Sequence, residues 1–171
     1  MPELLEAPLP AAELGERYRA LVASPLYAKL PGKVELDRWG RILMSPASNQ
    51  HGMVQIRIGQ RLSSLGGRAI TEASILTAEG VFVADVAWAS TAFIAAHRTE
   101  TPFPNAPELC IEIASPSNSR REMQQKIAAY LSAGAHEVWI VYLQSQRVEF
   151  HSATGVIERS SFTVDLAGLF D

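Results

Sequence analysis

Val81-Phe82-Val83-Ala84-Asp85-Val86-Ala87-Trp88 is apolar along its whole length except for one carboxylate near its middle. Strand periodicity puts Val81, Val83, Asp85 and Ala87 on one face and Phe82, Ala84, Val86 and Trp88 on the other. A strand apolar on both faces belongs inside a covered sheet. A lone carboxylate there is costly or takes up a proton, so Asp85 needs a basic side chain, hydrogen-bond donors or a metal ion beside it.

A second run of the same kind is Glu108-Leu109-Cys110-Ile111-Glu112-Ile113-Ala114. Leu109, Ile111 and Ile113 make an unbroken apolar face, and Glu112 is again an interior acid on the opposite one. Ser115-Pro116-Ser117-Asn118 breaks the strand, and Ser119-Arg120-Arg121-Glu122 has the spacing of a helix capping box. The helix it opens is predicted to run to about Ala133. Met123, Ile127, Tyr130 and Leu131 share one stripe, and Gly134 is the stop. Lys126 falls on the border of that stripe, from which it can reach over the end of the sheet.

Two acids on neighbouring strands and a lysine on the next helix resemble the site of the PD-(D/E)xK nucleases. More narrowly, the chain resembles the Uma2 family of restriction-endonuclease-like proteins. The resemblance rests on Ala84-Asp85-Val86-Ala87-Trp88-Ala89-Ser90, on Pro107 to Ser117 with its Ser-Pro-Ser turn, and on Glu122, Lys126, Tyr130, Gly134 and Glu137-Val138-Trp139-Ile140-Val141. It extends from about Val34 to the closing Phe162 to Phe170. Two positions depart from the pattern. Ala84 stands for the proline of the Pro-Asp pair, and Ala114 stands where the superfamily usually has its lysine.

The resemblance implies an α/β fold with a restriction-endonuclease-like core, a central mixed β-sheet flanked by helices. It implies Mg²⁺ (or Mn²⁺) held by Asp85 and Glu112, with Lys126 taking the place of the missing lysine to position water or neutralise phosphate, and Glu122 orienting Lys126. The residue types suit the chemistry. Mg²⁺ is a hard ion that takes one or two carboxylates and keeps several waters. Bound, it polarises a phosphoryl oxygen and acidifies water, while a nearby cation offsets the charge that grows in the transition state. The implied reaction is hydrolysis of phosphodiester bonds, with nucleic acid, DNA first, as the partner. Cutting both strands of a duplex takes two sites, which makes a homodimer an expectation.

A non-catalytic binding or assembly protein on the same scaffold is the competing class, and a hydrolase of some other phosphate ester is a third. Each residue also has a plainer reading. Asp85 can be a structural acid in a buried network, Glu112 can face water at an open strand end, and Lys126 with Glu122 can be a surface pair. Glu35, between Val34 and Leu36, either joins the site or pairs with an arginine. His51 shares the inner stripe of its helix with Val54 and Ile58, where a packed or capping histidine is the commoner case. Arg57, Arg61 and Arg68, with Arg120 and Arg121, form a nucleic-acid groove only if folding brings the two sets together; otherwise they are solvated surface charges.

Composition limits what surrounds this site. In 171 residues, 47% are hydrophobic and 19% charged, which suits one domain over 1–171 with a core of its own and residues 1–30 as an N-terminal helical extension. A net charge of -3 argues against a broad cationic surface. The single cysteine, Cys110, cannot close an internal disulfide, and neither an 18-residue apolar span nor a leader pattern is evident, so the expectation is a soluble cytoplasmic protein with no membrane partner. The remaining pattern reads as a helix over about 11–23, a hairpin over 33–44 around Asp37-Arg38-Trp39-Gly40, and a helix over about 49–65. Strands follow near 69–76, 81–88, 108–114, 137–143 and 147–151, and Ser90 to Pro107 reads as a helical turn plus loop near the site mouth.

Overall fold

A computed structural model describes residues 7–171 of the chain, so the first six residues of the expected N-terminal extension lie outside the described part. Among the described residues, four α-helices, α1 (Ala11–Ala23), α2 (Asn49–Leu62), α3 (Thr91–His97) and α4 (Arg120–Ser132), surround one sheet of eight strands. The strands are β1 (Lys33–Asp37), β2 (Ile42–Ser45), β3 (Arg68–Thr77), β4 (Gly80–Ala89), β5 (Leu109–Ala114), β6 (Glu137–Tyr142), β7 (Arg147–Ser152) and β8 (Gly155–Ile157). Their order is β2-β1-β4-β5-β6-β7-β8, with β3 also paired to β4. The pairs are antiparallel except β5 with β6, which α4 joins as a crossover, so the sheet is mixed as the resemblance implies. The short β8 goes beyond the sequence reading, whereas α3 is the helical turn expected after Ser90.

The helices cover both faces. Leu109, Ile111 and Ile113 of β5 pack with Val54, Ile58 and Leu62 of α2, whereas Cys110 and Ala114 pack with Met123, Ile127 and Tyr130 of α4. Alternation thus reads correctly on β5. On β4 it does not. Phe82 and Ala84 belong to the α4 side, but Val86 and Trp88, at the same parity, belong to the α2 side. The facing reverses at Asp85. Opposite it, Glu72 of β3 has φ 54°, an uncommon backbone for a residue other than glycine, and the β3–β4 ladder steps from Thr71↔Val86 to Ala73↔Ala84 with the rung between them missing.

The pairing of β4 explains why the reversal matters. β3 runs along one edge of β4 from Gly80 to Ala89. The other edge is shared: β1 pairs only with Gly80 and Val81, and β5 only with Val86, Ala87 and Trp88. Between them β4 has no strand partner on this edge, and the sheet forks. Gly80 lets β1 come close, since a Cβ there would collide with the carbonyl oxygen of Leu36. Leu14 and Tyr18 of α1 close the β1 arm of the fork against Leu36, Val81 and Val83.

Residues 90–107 do not reach this fork. Phe103 bridges to Ile75 on the outer edge of β3, with its backbone bonded to Ser74 and Leu76, so the segment caps a sheet edge instead of forming the site mouth.

Candidate metal and phosphate site in the sheet fork

The acids of the fork replace the strand pairing that is missing there. Glu35 Oε1 accepts the backbone N–H of Val83 at 2.7 Å, and Asp85 Oδ2 accepts that of Ile113 at 2.7 Å. Glu112 lies on what would be the next β4–β5 rung, beside Asp85. All three side chains are buried.

Two lysines tie the acids together. Lys33 Nζ donates to Asp85 Oδ1 at 2.8 Å and to Glu112 Oε2 at 3.1 Å. Lys126 Nζ donates to Glu35 Oε1 at 2.8 Å and to Glu112 Oε1 at 3.1 Å, and lies 5.7 Å from the centre of the Phe82 ring. Tyr130, one turn beyond Lys126, donates its hydroxyl to Glu112 Oε1 at 2.6 Å. His51 comes from the opposite face on α2, its Nε2 3.2 Å from Asp85 Oδ2, and Gln55, one turn further, links Glu72 to the carbonyl of Asp85. The site therefore passes through the sheet, reached by α2 from one face and α4 from the other. It opens on a cavity of about 350 Å³ with Tyr18, Tyr27 and Ser45 in its walls.

Burial and charge pull the acids apart. Burial alone would raise Asp85, but the hydrogen bond from His51 and the charge of Lys33 outweigh it and hold the carboxyl well below its ordinary range. At Glu112 burial wins over Lys126 and Lys33, and the pKa goes up. Burial works against the Lys33 ammonium, yet the Glu112 and Asp85 carboxylates more than offset it and hold the group protonated. Three carboxylates meet two ammonium groups, which leaves one negative charge in excess before His51 is counted.

This donor set suits one kind of metal ion. Among the described residues no group of three or more His, Cys, Asp and Glu side chains is placed to hold a metal, which is a poor match for zinc with its three or four protein ligands. Two carboxylates converging on one cationic point fit a hard divalent ion that keeps most of its waters. The Nδ1 of His51, across the ring from the nitrogen that faces Asp85, is buried and has no hydrogen-bond partner among the described residues.

Asp85, Glu112, Lys126, Glu35 and His51 thus come together from five separate elements. Glu122 does not join them. Its carboxylate accepts the N–H of Ser119 at 2.6 Å, closing the capping box, and Glu35 and Glu112 orient Lys126 in its place. The two arginine sets also stay apart. Arg57 and Arg61 on α2 donate to main-chain carbonyls of the C-terminal segment, at Leu169 and Asp171 and at Asp165 and Ala167, while Arg120 and Arg121 begin α4 across the sheet. Arg120 instead lines a second cavity of about 550 Å³ with Tyr142 and Arg147, and Ser115 and Asn118 form a wall common to both cavities. Lys33 is the residue that sequence reasoning missed. The signal was present in Lys33-Val34-Glu35, which puts the lysine and the buried acid on one face of β1.

The fold is similar to that of the crystal structure of "a putative nuclease belonging to DUF820" from Anabaena variabilis. The two share 20% sequence identity with a TM-score of 0.68, over 84% of this chain and 94% of that one. At that identity the likeness establishes the fold. No curated protein matches the sequence. The model of one family, described as Uma2, "Putative restriction endonuclease", matches residues 24–166, so the chain with its forked sheet and buried acids belongs to the Uma2 family.

Proposed function

We propose that the chain is a divalent-metal-dependent endonuclease that hydrolyses phosphodiester bonds in DNA. The observation that supports this most is the convergence of Asp85 and Glu112 on a single cationic point at the floor of an open cavity, with the second ammonium of Lys126 beside them. Asp85 and Glu112 would hold Mg²⁺ or Mn²⁺, which when bound supplies Lewis-acid polarisation of phosphate and a more acidic water.

The protein's own groups carry the remaining tasks. Lys126, fixed between Glu35 and Glu112, places positive charge where a phosphate gathers negative charge on the way to the transition state. His51 holds Asp85 ionised and oriented from the α2 side, and Tyr130 fixes the second oxygen of Glu112. Arg120 and Arg147, in the adjoining cavity, stand where flanking phosphates of a strand would pass. With a net charge of -3, DNA affinity would rest on such local groups, and two copies would serve the two strands of a duplex. The buried free thiol of Cys110 suits a reducing cytoplasm.

Incubation of supercoiled plasmid with the purified protein, in Mg²⁺, in Mn²⁺ and with chelator, tests the proposal. Metal-dependent nicking that disappears in Asp85→Asn supports it. Cleavage that survives both chelator and that substitution refutes it. One observation favours the non-catalytic alternative, namely that both lysines already satisfy the acids, and a protein that binds DNA yet never cuts it under these conditions would establish that reading.

A further inference from the structure

The four carboxylate oxygens of Asp85 and Glu112 are not equivalent. Asp85 Oδ2 is occupied by the N–H of Ile113 and faces His51, and Glu112 Oε1 is occupied by Lys126 and Tyr130. Among the described residues, Asp85 Oδ1 and Glu112 Oε2 have one partner between them, Lys33. The donors on the first two oxygens are a strand backbone and side chains from packed helices. Lys33 differs from them. It is the first residue of β1, paired with Ser45 of β2, and the β1–β4 ladder does not begin until Leu36. Its flexible stem borders the cavity, so the ammonium has room to swing away without breaking the sheet.

We infer that Lys33 is an exchangeable internal cation: its ammonium bridges the two oxygens that a divalent ion would use, and the ion enters only by displacing it. This rests on the reading of Asp85 and Glu112 as metal ligands and adds a gate to it. When the lysine leaves, one oxygen of each acid is freed and the fixed donors on the other two keep both carboxylates in place. Metal affinity is then set by competition with a charge-assisted pair of hydrogen bonds, which keeps the site from loading at low metal concentration.

Calorimetric titration with MnCl₂ of the wild-type protein, Lys33→Met and Lys33→Gln tests the inference, with circular dichroism to verify folding. Both variants are expected to bind Mn²⁺ at least tenfold more tightly than wild type, and Asp85→Asn in the Lys33→Met background to lose that binding. In the wild type, pulse acetylation read by mass spectrometry should show Lys33 protected without metal and several-fold more reactive at saturating Mn²⁺. Equal or weaker binding by the variants, or unchanged Lys33 reactivity in a wild type that binds Mn²⁺, overturns the inference and leaves the metal site standing. Folded proteins that bind no Mn²⁺ with or without Lys33 overturn both.

Discussion

Glu112 and Glu137 lie on adjacent strands, both almost fully buried, and they meet that burial in opposite ways. Among the described residues Glu137 takes only neutral donors: the indole N–H of Trp139 at 3.1 Å, the backbone N–H and hydroxyl of Ser161 at 2.7 and 2.6 Å, and the hydroxyl of Ser160. Against the cost of burial these donors hold its carboxyl below the ordinary range, and together they pin the start of the C-terminal segment to β6. Glu112 instead relies on two lysine ammonium groups and Tyr130 beside a cavity, and burial prevails there. Neutral donors are therefore enough to bury an acid in this sheet. On the proposed function, the lysines at the fork differ because one partner is exchanged and the other meets substrate charge.

Substitutions can break that contrast, and the largest effects are expected at the fork. Asp85→Asn should bring metal-dependent plasmid nicking to background, and Lys126→Met should lower it by about 10²–10³-fold while Mn²⁺ binding persists, as gel densitometry and calorimetry would show. Loss of Mn²⁺ binding in Lys126→Met would mean that the lysine arranges the ligands and has no separate role toward phosphate. Next in size, Glu137→Ala should cost about 1–3 kcal/mol in urea denaturation by leaving buried donors unpaired, with Mn²⁺ affinity unchanged. Metal binding that vanished with Glu137 would erase the distinction between the two acids.

The pH dependence sharpens the comparison further. The depressed carboxyls of Asp85 and Glu137 contribute stability that is complete above the ordinary carboxylate range and fades as pH falls through their folded-state values. Glu112, shifted upward, behaves inversely: its contribution is complete at low pH and is lost as pH rises through its raised value. The urea midpoint of the wild type should therefore drop on acidification below about pH 4, less steeply in Glu137→Gln, and without such flattening in Glu112→Gln. The smallest effects concern the arginines. Arg61→Ala should loosen the C-terminal segment by about 1 kcal/mol and leave the salt dependence of DNA binding alone, whereas Arg120→Ala should lower its log–log slope by about one. The reverse result would put the nucleic acid on the α2 side.

Local chemistry was enough to find much of this. The capping box at Ser119 and Glu122 fixed the start of α4, and the apolar stripe of that helix placed Lys126 at its border, from which it reaches Glu35 and Glu112. The alternation of β5 put Glu112 on the α4 face. The same rule failed on β4, because a positive φ at Glu72, on a different strand, accompanies the reversal at Asp85 and leaves no trace in the β4 pattern itself. Glu122 was read in two roles, and its bond to the helix N-terminus is the one formed, since Ser119 lies within its reach while Lys126 is drawn into the fork.

The order of strands and helices, the apolar faces that bury them and the presence of two interior acids that need partners were all determined by the sequence, since each depends on residues close together in the chain. Only the tertiary structure decided that β1 and β5 share one edge of β4 and part around it. Where two strands separate depends on the competition among three ladders and the helices over them. From that separation come the unpaired backbone donors of Val83 and Ile113, the acids that answer them, and the place of Lys33 between Asp85 and Glu112.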